Sequence, residues 1–279
     1  MDVRPTVADD LPVMHRLFLA AIGSVYEPHD FEPPAPPAEV FASNHGHLLA
    51  TDPERCFVAA SDGEVVGYVA AWLRGDDWFL GSLFIAPPVH GRGVGSRLLD
   101  AVWGDGDVRR RTLTDAIQPV SNALYARRGL VPSTPLLTFV GFPAGAEPTL
   151  AVGNDASVAD IDLRAYGFDR AADHRYWGEI AERTVWLRDG KPVAYSYRFP
   201  AGAIGPVAGL DAGAAAAALA GELARVVGPV VVRIPGSSRA LVLGALAAGL
   251  RLSPTPGLLL LSEGLAPPDA LAIGGYTLF

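Results

Sequence analysis

The chain has 279 residues, half of them apolar, with a formal net charge of −8 and one cysteine, Cys56. That length suits one or two domains with a sizeable core, and the negative charge argues against broad binding to nucleic acid or to an anionic membrane. A single cysteine excludes an intrachain disulfide and fits a reducing, cytoplasmic compartment. The opening MDVRPTVADDLP has no signal-peptide core. The longest apolar stretches, near Ala212 to Ala220 and Ala240 to Leu250, are too short to span a bilayer.

In chain order, Val3 to Thr6 reads as an edge strand. Asp9 or Asp10 can cap a helix reaching about Ile22, with Leu11, Met14, Leu17 and Phe18 as its buried stripe. Residues 23–37 read as a loop ending in proline and acidic residues, and a second helix follows from Ala38 to about Leu49. Phe57 to Ala60 and Val65 to Trp72 form a hairpin across Ser61-Asp62-Gly63. The next strand, Phe79 to Ile85, ends where Pro87 and Pro88 cannot extend a ladder. Gly91, Gly93 and Gly95 then open directly into a helix whose apolar residues Val94, Leu98, Leu99 and Val102 share one face. Arg111 to Ile117 reads as a strand, Asn122 to Arg128 as a short helix and Leu136 to Phe142 as a strand.

A glycine-rich turn at a helix N-terminus suits a phosphate or pyrophosphate. The first amides lack acceptors, the dipole adds positive charge, and glycine lets the backbone come close. Arg92 and Arg97 add formal charge. The turn is not a P-loop, which needs Gly-Lys-Ser/Thr, and it lacks the third glycine of a dinucleotide fingerprint. His45 and His47 are two apart on one helix and do not share a face, and no HExxH or cysteine-rich pattern appears, so no metal is expected.

A third pattern fits. Leu83-Phe84-Ile85-Ala86-Pro87 followed by His90-Gly91-Arg92-Gly93-Val94-Gly95-Ser96 resembles the acyl-CoA site of the GNAT acetyltransferase superfamily. In that family a strand ends in hydrophobic-x-Pro and leads into Gln/Arg-x-x-Gly-x-Gly/Ala. His90 departs from the usual Gln or Arg. Asn122-Ala123-Leu124-Tyr125-Ala126-Arg127-Arg128-Gly129-Leu130 resembles the family's later Asn-x-x-Tyr-x-x-x-Gly-Phe/Leu, with room between the two for one helix and one strand.

Beyond Phe142-Pro143-Ala144-Gly145-Ala146-Glu147-Pro148 the chain repeats itself weakly. Asp62-Gly63 and the strand after it resemble Asp189-Gly190 and its strand; Leu83 to Pro87 resembles Val207 to Asp211; Tyr125 to Leu130 resembles Ala245 to Leu250. The order is kept, so the expected architecture is α/β (α+β), with two tandem GNAT-like domains. Each would have a mixed, mostly antiparallel central sheet flanked by helices. The expected boundaries are 1–143, a linker at 144–150, and a degenerate copy at 151–279. The second copy has no glycine loop. Asp211 caps its helix where a phosphate would sit, and Ala245 stands at the place of Tyr125, so no acyl-CoA binding is expected there. The segment from Gly167 to Trp177 is polar and aromatic enough to line a pocket.

The resemblance implies an N-acyltransferase that moves an acetyl group directly from acetyl-CoA to a small-molecule or N-terminal amine. It implies that Leu83, Phe84, Ile85, His90, Gly91, Arg92, Gly93, Val94, Gly95, Ser96 and Asn122 hold the cofactor. Gly81 would mark a bulge that splays the strand. Tyr125 would protonate the departing thiolate, and Asn122 would cap its helix. For a base the sequence leaves Glu27, His29, Asp76, Asp77 or a water relay open. Ser82 is the one polar residue the strand offers. Tyr26, Glu27, His29, Asp30, Phe31 and Glu32 suit a cationic acceptor. A non-catalytic acyl-CoA-binding scaffold, and a monomer or a homodimer, are both compatible with these residues.

Overall fold

The structure, a computed structural model, describes residues 1–106, 108–153 and 157–279. Chain contacts divide it into two units: residues 1–112 with 117–128, and residues 113–116 with 129–279.

In the first unit, β1 (Asp2–Pro5), β2 (Cys56–Ser61), β3 (Glu64–Arg74) and β4 (Asp77–Ile85) form an antiparallel run in that order. The start of β5 (Arg109–Asp115) joins β4 in parallel, from Asp77↔Arg109 to Leu80↔Thr112. β2 and β3 meet through a two-residue turn in which Asp62 (φ 53°) and Gly63 (φ 84°) are both left-handed, the geometry that matches strand twist. Side chains on a strand alternate between faces. Tyr68 therefore faces α1 (Leu11–Tyr26) and α2 (Ala38–Thr51), in a core with Met14, Leu17, Phe41 and Val58. Its neighbour Gly67 lies against Leu98 of α3 (Val94–Trp103) on the other face. The Trp78 indole donates to the Val102 carbonyl at 3.0 Å and so fixes α3 on β4.

Two local expectations fail here. α1 runs on to Tyr26, and neither Asp9 nor Asp10 supplies a side-chain cap for it. Asp10 instead accepts from the Arg4 guanidinium at 2.7 and 2.8 Å and from the Val7 amide at 2.9 Å, tying β1 to the helix entry. Tyr26 is buried in the last turn of α1 rather than displayed in a loop.

In the second unit the strand order is β13 (Gly257–Leu261), β6 (Val131–Gly141), β11 (Val230–Pro235), β10 (Ala203–Gly209), β9 (Lys191–Arg198), β8 (Glu182–Arg188), β7 (Ala151–Gly153). β6 belongs to this unit because it pairs with β11 along one edge and with β12 (Arg251–Leu252) and β13 along the other. By chain contacts β6 is thus grouped with the strands that follow it. α7 (Ala212–Arg225) and α8 (Arg239–Ala247) pack an alanine-rich face into a core with Trp186, Val207 and Val232.

The internal repeat is physical. Asp189 (φ 51°) and Gly190 (φ 75°) turn β8 into β9 as Asp62 and Gly63 turn β2 into β3. β10 pairs with β11 in parallel, as β4 does with β5. α8 ends at a left-handed Gly249 (φ 78°), matching Gly129 (φ 80°) after α4 (Pro119–Ala126).

Candidate active site

The site is built where β4 ends. Its register with β3 shifts between Ala70↔Ser82 and Ala71↔Leu80, so Gly81 is the extra residue of a bulge, as its position in the strand suggested. Pairing of β4 with β5 stops at Leu80↔Thr112. Leu83, Phe84 and Ile85 continue the ladder with β3 alone and are half-buried. Their outer edge is the one on which an extended ligand arm could pair like a strand. Phe84 is fixed beneath by an edge contact with Phe18 at 4.9 Å and a stacked contact with Tyr68 at 5.6 Å.

The chain then crosses a short 3-10 turn, Pro87–Val89, and enters the glycine loop. Gly91 (φ 76°) and Gly93 (φ 78°) are left-handed, and no described atom lies within 4 Å of where a Cβ on either would stand. Gly93 is the N-cap of α3 and provides no side chain to cap it. The first intrahelical bond is that of the Arg97 amide to the Gly93 carbonyl, at 3.1 Å. The amides of Val94, Gly95 and Ser96 therefore precede the ladder and have no acceptor within the helix. Arg92 and Arg97 are exposed beside them. This is a cradle with open space, uncommitted donors and positive potential, and it fits a pyrophosphate. His90 turns back from the loop and bonds the Ile85 carbonyl through Nε2 at 2.9 Å, so this residue braces the strand end.

The second motif lies against the first. Leu124 of α4 is 3.8 Å from the position of a Cβ on Gly95, which seats α4 on the first turn of α3. Tyr125 is buried, and burial pushes its phenol well above the usual value, with a smaller opposing effect from the Ser121 side chain. It is protonated at any physiological pH. Asn122 does not cap this helix: α4 begins at Pro119, and the Gln118 side chain takes the cap by accepting from the Val120 amide at 3.2 Å. Asn122 instead donates to the Gln118 carbonyl at 2.7 Å.

The candidate bases separate clearly. Asp77 is fully buried at the far end of β4 and is engaged by Arg109 and Arg111, which removes it. Glu27 and His29 lie exposed in a 3-10 turn after α1. Ser82 is committed to a residue that sequence reading had set aside, His45 on α2. The His45 Nδ1–H donates to the Phe41 carbonyl at 2.9 Å, which leaves Nε2 to accept from the Ser82 hydroxyl at 3.1 Å. Burial lowers the His45 pKa to about 4, so its ring is neutral. The two residues are 37 apart in sequence, and no local pattern joins them.

The matching wedge of the second unit is filled by the chain itself. β10 and β11 pair only at Ala203 and Ile204. Beyond that point β14 (Leu271–Ala272) pairs with Val207 and Ala208, and Ile273 bridges to Arg233 on β11. At the start of α7, Asp211 accepts from the Ala214 amide at 2.6 Å and pairs with Arg188, and its carboxyl is held below the ordinary range by those amide bonds. Ala245 is buried within α8. Among the described residues, no group of His, Cys, Asp or Glu could hold a metal ion, and no helix is long and apolar enough to cross a membrane.

Comparisons with known proteins bear on the family and the fold. Residues 20–130 match the model of the acetyltransferase (GNAT) family. A mycothiol acetyltransferase from Rhodococcus jostii is 33% identical over 122 residues, 43% of this chain; the match spans 35% of that protein, about a third of its length. Over 100% of this chain and 95% of the other, the fold matches that of a putative acetyltransferase from Pyrococcus horikoshii, with a TM-score of 0.77 at 19% identity. A tandem GNAT protein from the clavulanic acid biosynthesis pathway superposes with a TM-score of 0.59 at 17% identity, over 95% of this chain and 99% of that one. Residues 20–130 are therefore a domain of the acetyltransferase (GNAT) family, in a chain that carries the tandem GNAT fold over its length.

Proposed function

We propose that this chain is an N-acetyltransferase that moves an acetyl group from acetyl-CoA directly to an amine, with the chemistry in the first unit. The observation that carries this reading is the uncapped start of α3, where the amides of Val94, Gly95 and Ser96 stand beside the half-paired end of β4. Gly91, Arg92 and Gly93 would complete the phosphate cradle, and the edge of Leu83 to Ile85 would hold the pantetheine arm. His90 would position that edge, and Asn122 would support α4. Acetyl-CoA supplies an activated thioester. The neutral amine attacks its carbonyl carbon and the carbon–sulfur bond breaks; Tyr125 gives its proton to the thiolate, and the proton released by the attacking nitrogen restores the phenol by way of solvent, leaving an amide and a free thiol. The one carboxylate of β4, Asp77, lies at its far end and is engaged by Arg109 and Arg111, and Ser82 is tied to a neutral His45. The acceptor would therefore be an amine with a useful neutral fraction at working pH, a small molecule or a protein N-terminus. The second unit, with its wedge filled and Asp211 at its helix cap, would bind no acyl-CoA.

The test is calorimetric titration with acetyl-CoA, followed by thiol release with a panel of primary amines. Saturable binding with amine-dependent thiol release is expected. Binding without release for any amine would point to an acyl-CoA-binding scaffold, and no binding would overturn the assignment of the loop.

A further inference from the structure

The free edge of β4 has a closed end, and that end is held from two sides. The last rung with β5, Leu80↔Thr112, is followed at once by the Gly81 bulge. The Thr112 hydroxyl donates to the Leu80 carbonyl at 2.9 Å, which adds a side-chain bond to the final rung of the ladder. On the helix side, the Ser82 hydroxyl donates to His45 Nε2 at 3.1 Å. The His45 ring is itself stacked on Phe41 at 3.9 Å and lies edge-on to Tyr68 at 5.7 Å. The residue before the bulge is thereby tied to β5, and the residue after it to α2.

Exposure follows the same division. Gly81, Leu83, Phe84 and Ile85 are half-buried along the free edge. Leu80 is 2% exposed and Thr112 1%. The edge open to a ligand therefore begins at Ile85, beside the glycine loop, and stops at Gly81. At about 3.3 Å per residue it is roughly 13 Å long. A donor whose pyrophosphate is held by the amides of Val94 to Ser96 lies on this edge with its phosphate end at Ile85 and its acyl end at Gly81. The acyl group is thus the part that points at the latched rung. In the second unit the helix before the matching hairpin spends its histidine differently. His174 on α6 (Ala171–Ile180) has Nδ1 2.9 Å from the Tyr197 hydroxyl of β9 and Nε2 2.8 Å from Asp162 of α5 (Ala159–Ala165). Neither ring nitrogen is left for β10, and the edge of that strand takes β14.

We infer, resting on the acetyl-CoA reading, that the latched rung limits the donor to short acyl groups, acetyl and at most propionyl. A longer chain meets the paired, buried backbone of Leu80 and Thr112. It has to part that rung or bend off the edge, and either costs affinity. Thr112, Ser82 and His45 act by fixing where the edge ends, so they are positioning residues and do not themselves hold the donor.

The experiment is calorimetry on the full chain with CoA, acetyl-CoA, butyryl-CoA and hexanoyl-CoA. Acetyl-CoA is expected to bind at least about tenfold more tightly than hexanoyl-CoA, with butyryl-CoA between them, on the scale by which a closed pocket discriminates methylenes. Thr112→Val keeps the shape of the side chain and removes its donor, and Ser82→Ala frees the bulge from His45. Each should narrow that ratio by about threefold or more, the worth of one hydrogen bond. Gly221→Ala strains the other unit against Trp186 and should leave the ratio unchanged however far it lowers the melting midpoint. Equal affinity of the native chain for acetyl-CoA and hexanoyl-CoA would overturn the length limit and leave the loop assignment standing. A ratio unmoved in both Thr112→Val and Ser82→Ala would overturn the role of the rung. Absence of binding by all four compounds would remove the acetyl-CoA reading itself, and the length limit with it.

Discussion

Replacing Gly93 by glutamate separates the binding role of the loop from its folding role. Gly93 has φ 78°, and nothing described lies within 4 Å of the Cβ position. The new side chain therefore meets no clash, and the cost is that of a left-handed L-residue, about 1–2 kcal/mol. A carboxylate at a helix N-terminus returns about 0.3–1 kcal/mol. The net loss is about 1 kcal/mol, or a fall in melting midpoint of roughly 2–4 °C for a chain of this size. The effect on ligand is larger. The carboxylate occupies the amides of Val94 to Ser96 and repels a phosphate, and the loss of two charge-assisted hydrogen bonds is worth roughly 3 kcal/mol or more, about a hundredfold in affinity. Gly63 supplies the matched control, since it has φ 84°, equally open space and no ligand beside it. Gly63→Glu should lose comparable stability and keep acetyl-CoA affinity. The assay is calorimetry paired with thermal melting. Native affinity in Gly93→Glu, or equal loss in both variants, would refute the placement of the phosphate.

Three further outcomes are expected. Tyr125→Phe keeps the buried ring but removes the proton, so turnover should fall by about 10² or more with acetyl-CoA affinity nearly intact; unchanged turnover in a stopped thiol assay would remove Tyr125 from the chemistry. His45 is buried with a pKa lowered to about 4, below its unfolded value. The unfolded chain binds the extra proton between those values, so this residue's contribution is fully present above pH 7 and is lost as pH falls from about 6.5 to 4, by about 3 kcal/mol; urea midpoints of His45→Gln should fall less steeply over that window than those of the native chain, and parallel curves would contradict it. In the second unit, a Cβ on Gly221 would lie 2.4 Å from the buried Trp186 ring, so Gly221→Ala should cost about 1–3 kcal/mol in denaturant midpoint, and an unchanged midpoint would show that the ring moves freely.

The parts of the fold that could be read in advance are those whose chemistry is local. A two-residue hairpin with both residues left-handed demands residues such as Asp-Gly, and the chain uses that pair twice, at Asp62-Gly63 and Asp189-Gly190. Left-handed glycine at Gly91 and Gly93 ahead of an apolar helical stripe is equally local, and Gly81 within a strand pointed to its bulge. What failed depends on distant partners. Asp10 looked like a cap because the sequence does not display Arg4 folding across it. Asp77 looked available because Arg109 and Arg111 reach it from another strand. Gln118 takes the cap expected of Asn122 because α4 starts three residues earlier, at a proline whose missing amide proton costs nothing at that position. His45 and Ser82 meet only through packing of α2 on β4.

The same distinction applies to the second copy, where the positions matching the loop and strand edge of the first are occupied in a way that the sequence displays only in part. Absence of a glycine loop removes the phosphate cradle, and Asp211 fills the amides that remain. The larger change lies at the strands. Where β10 and β11 diverge, β14 adds to β10, the Gly209 amide donates to the Ala270 carbonyl at 3.1 Å, and the Ile273 amide donates to Arg233 at 2.9 Å. Tethered to the same chain, this segment acts at an effective concentration that a free ligand arm does not reach. It is held further at its end, where Arg170, with no exposed surface, donates to the Leu278 and Phe279 carbonyls at 2.6 and 2.9 Å between the rings of Tyr166 and Trp177. Freeing the wedge would leave that guanidinium buried without these acceptors, a cost of several kcal/mol. Restoring a glycine loop at residues 209–213 would therefore not restore acyl-CoA binding in this unit, because the strand edge is already taken by residues some sixty positions further along the chain.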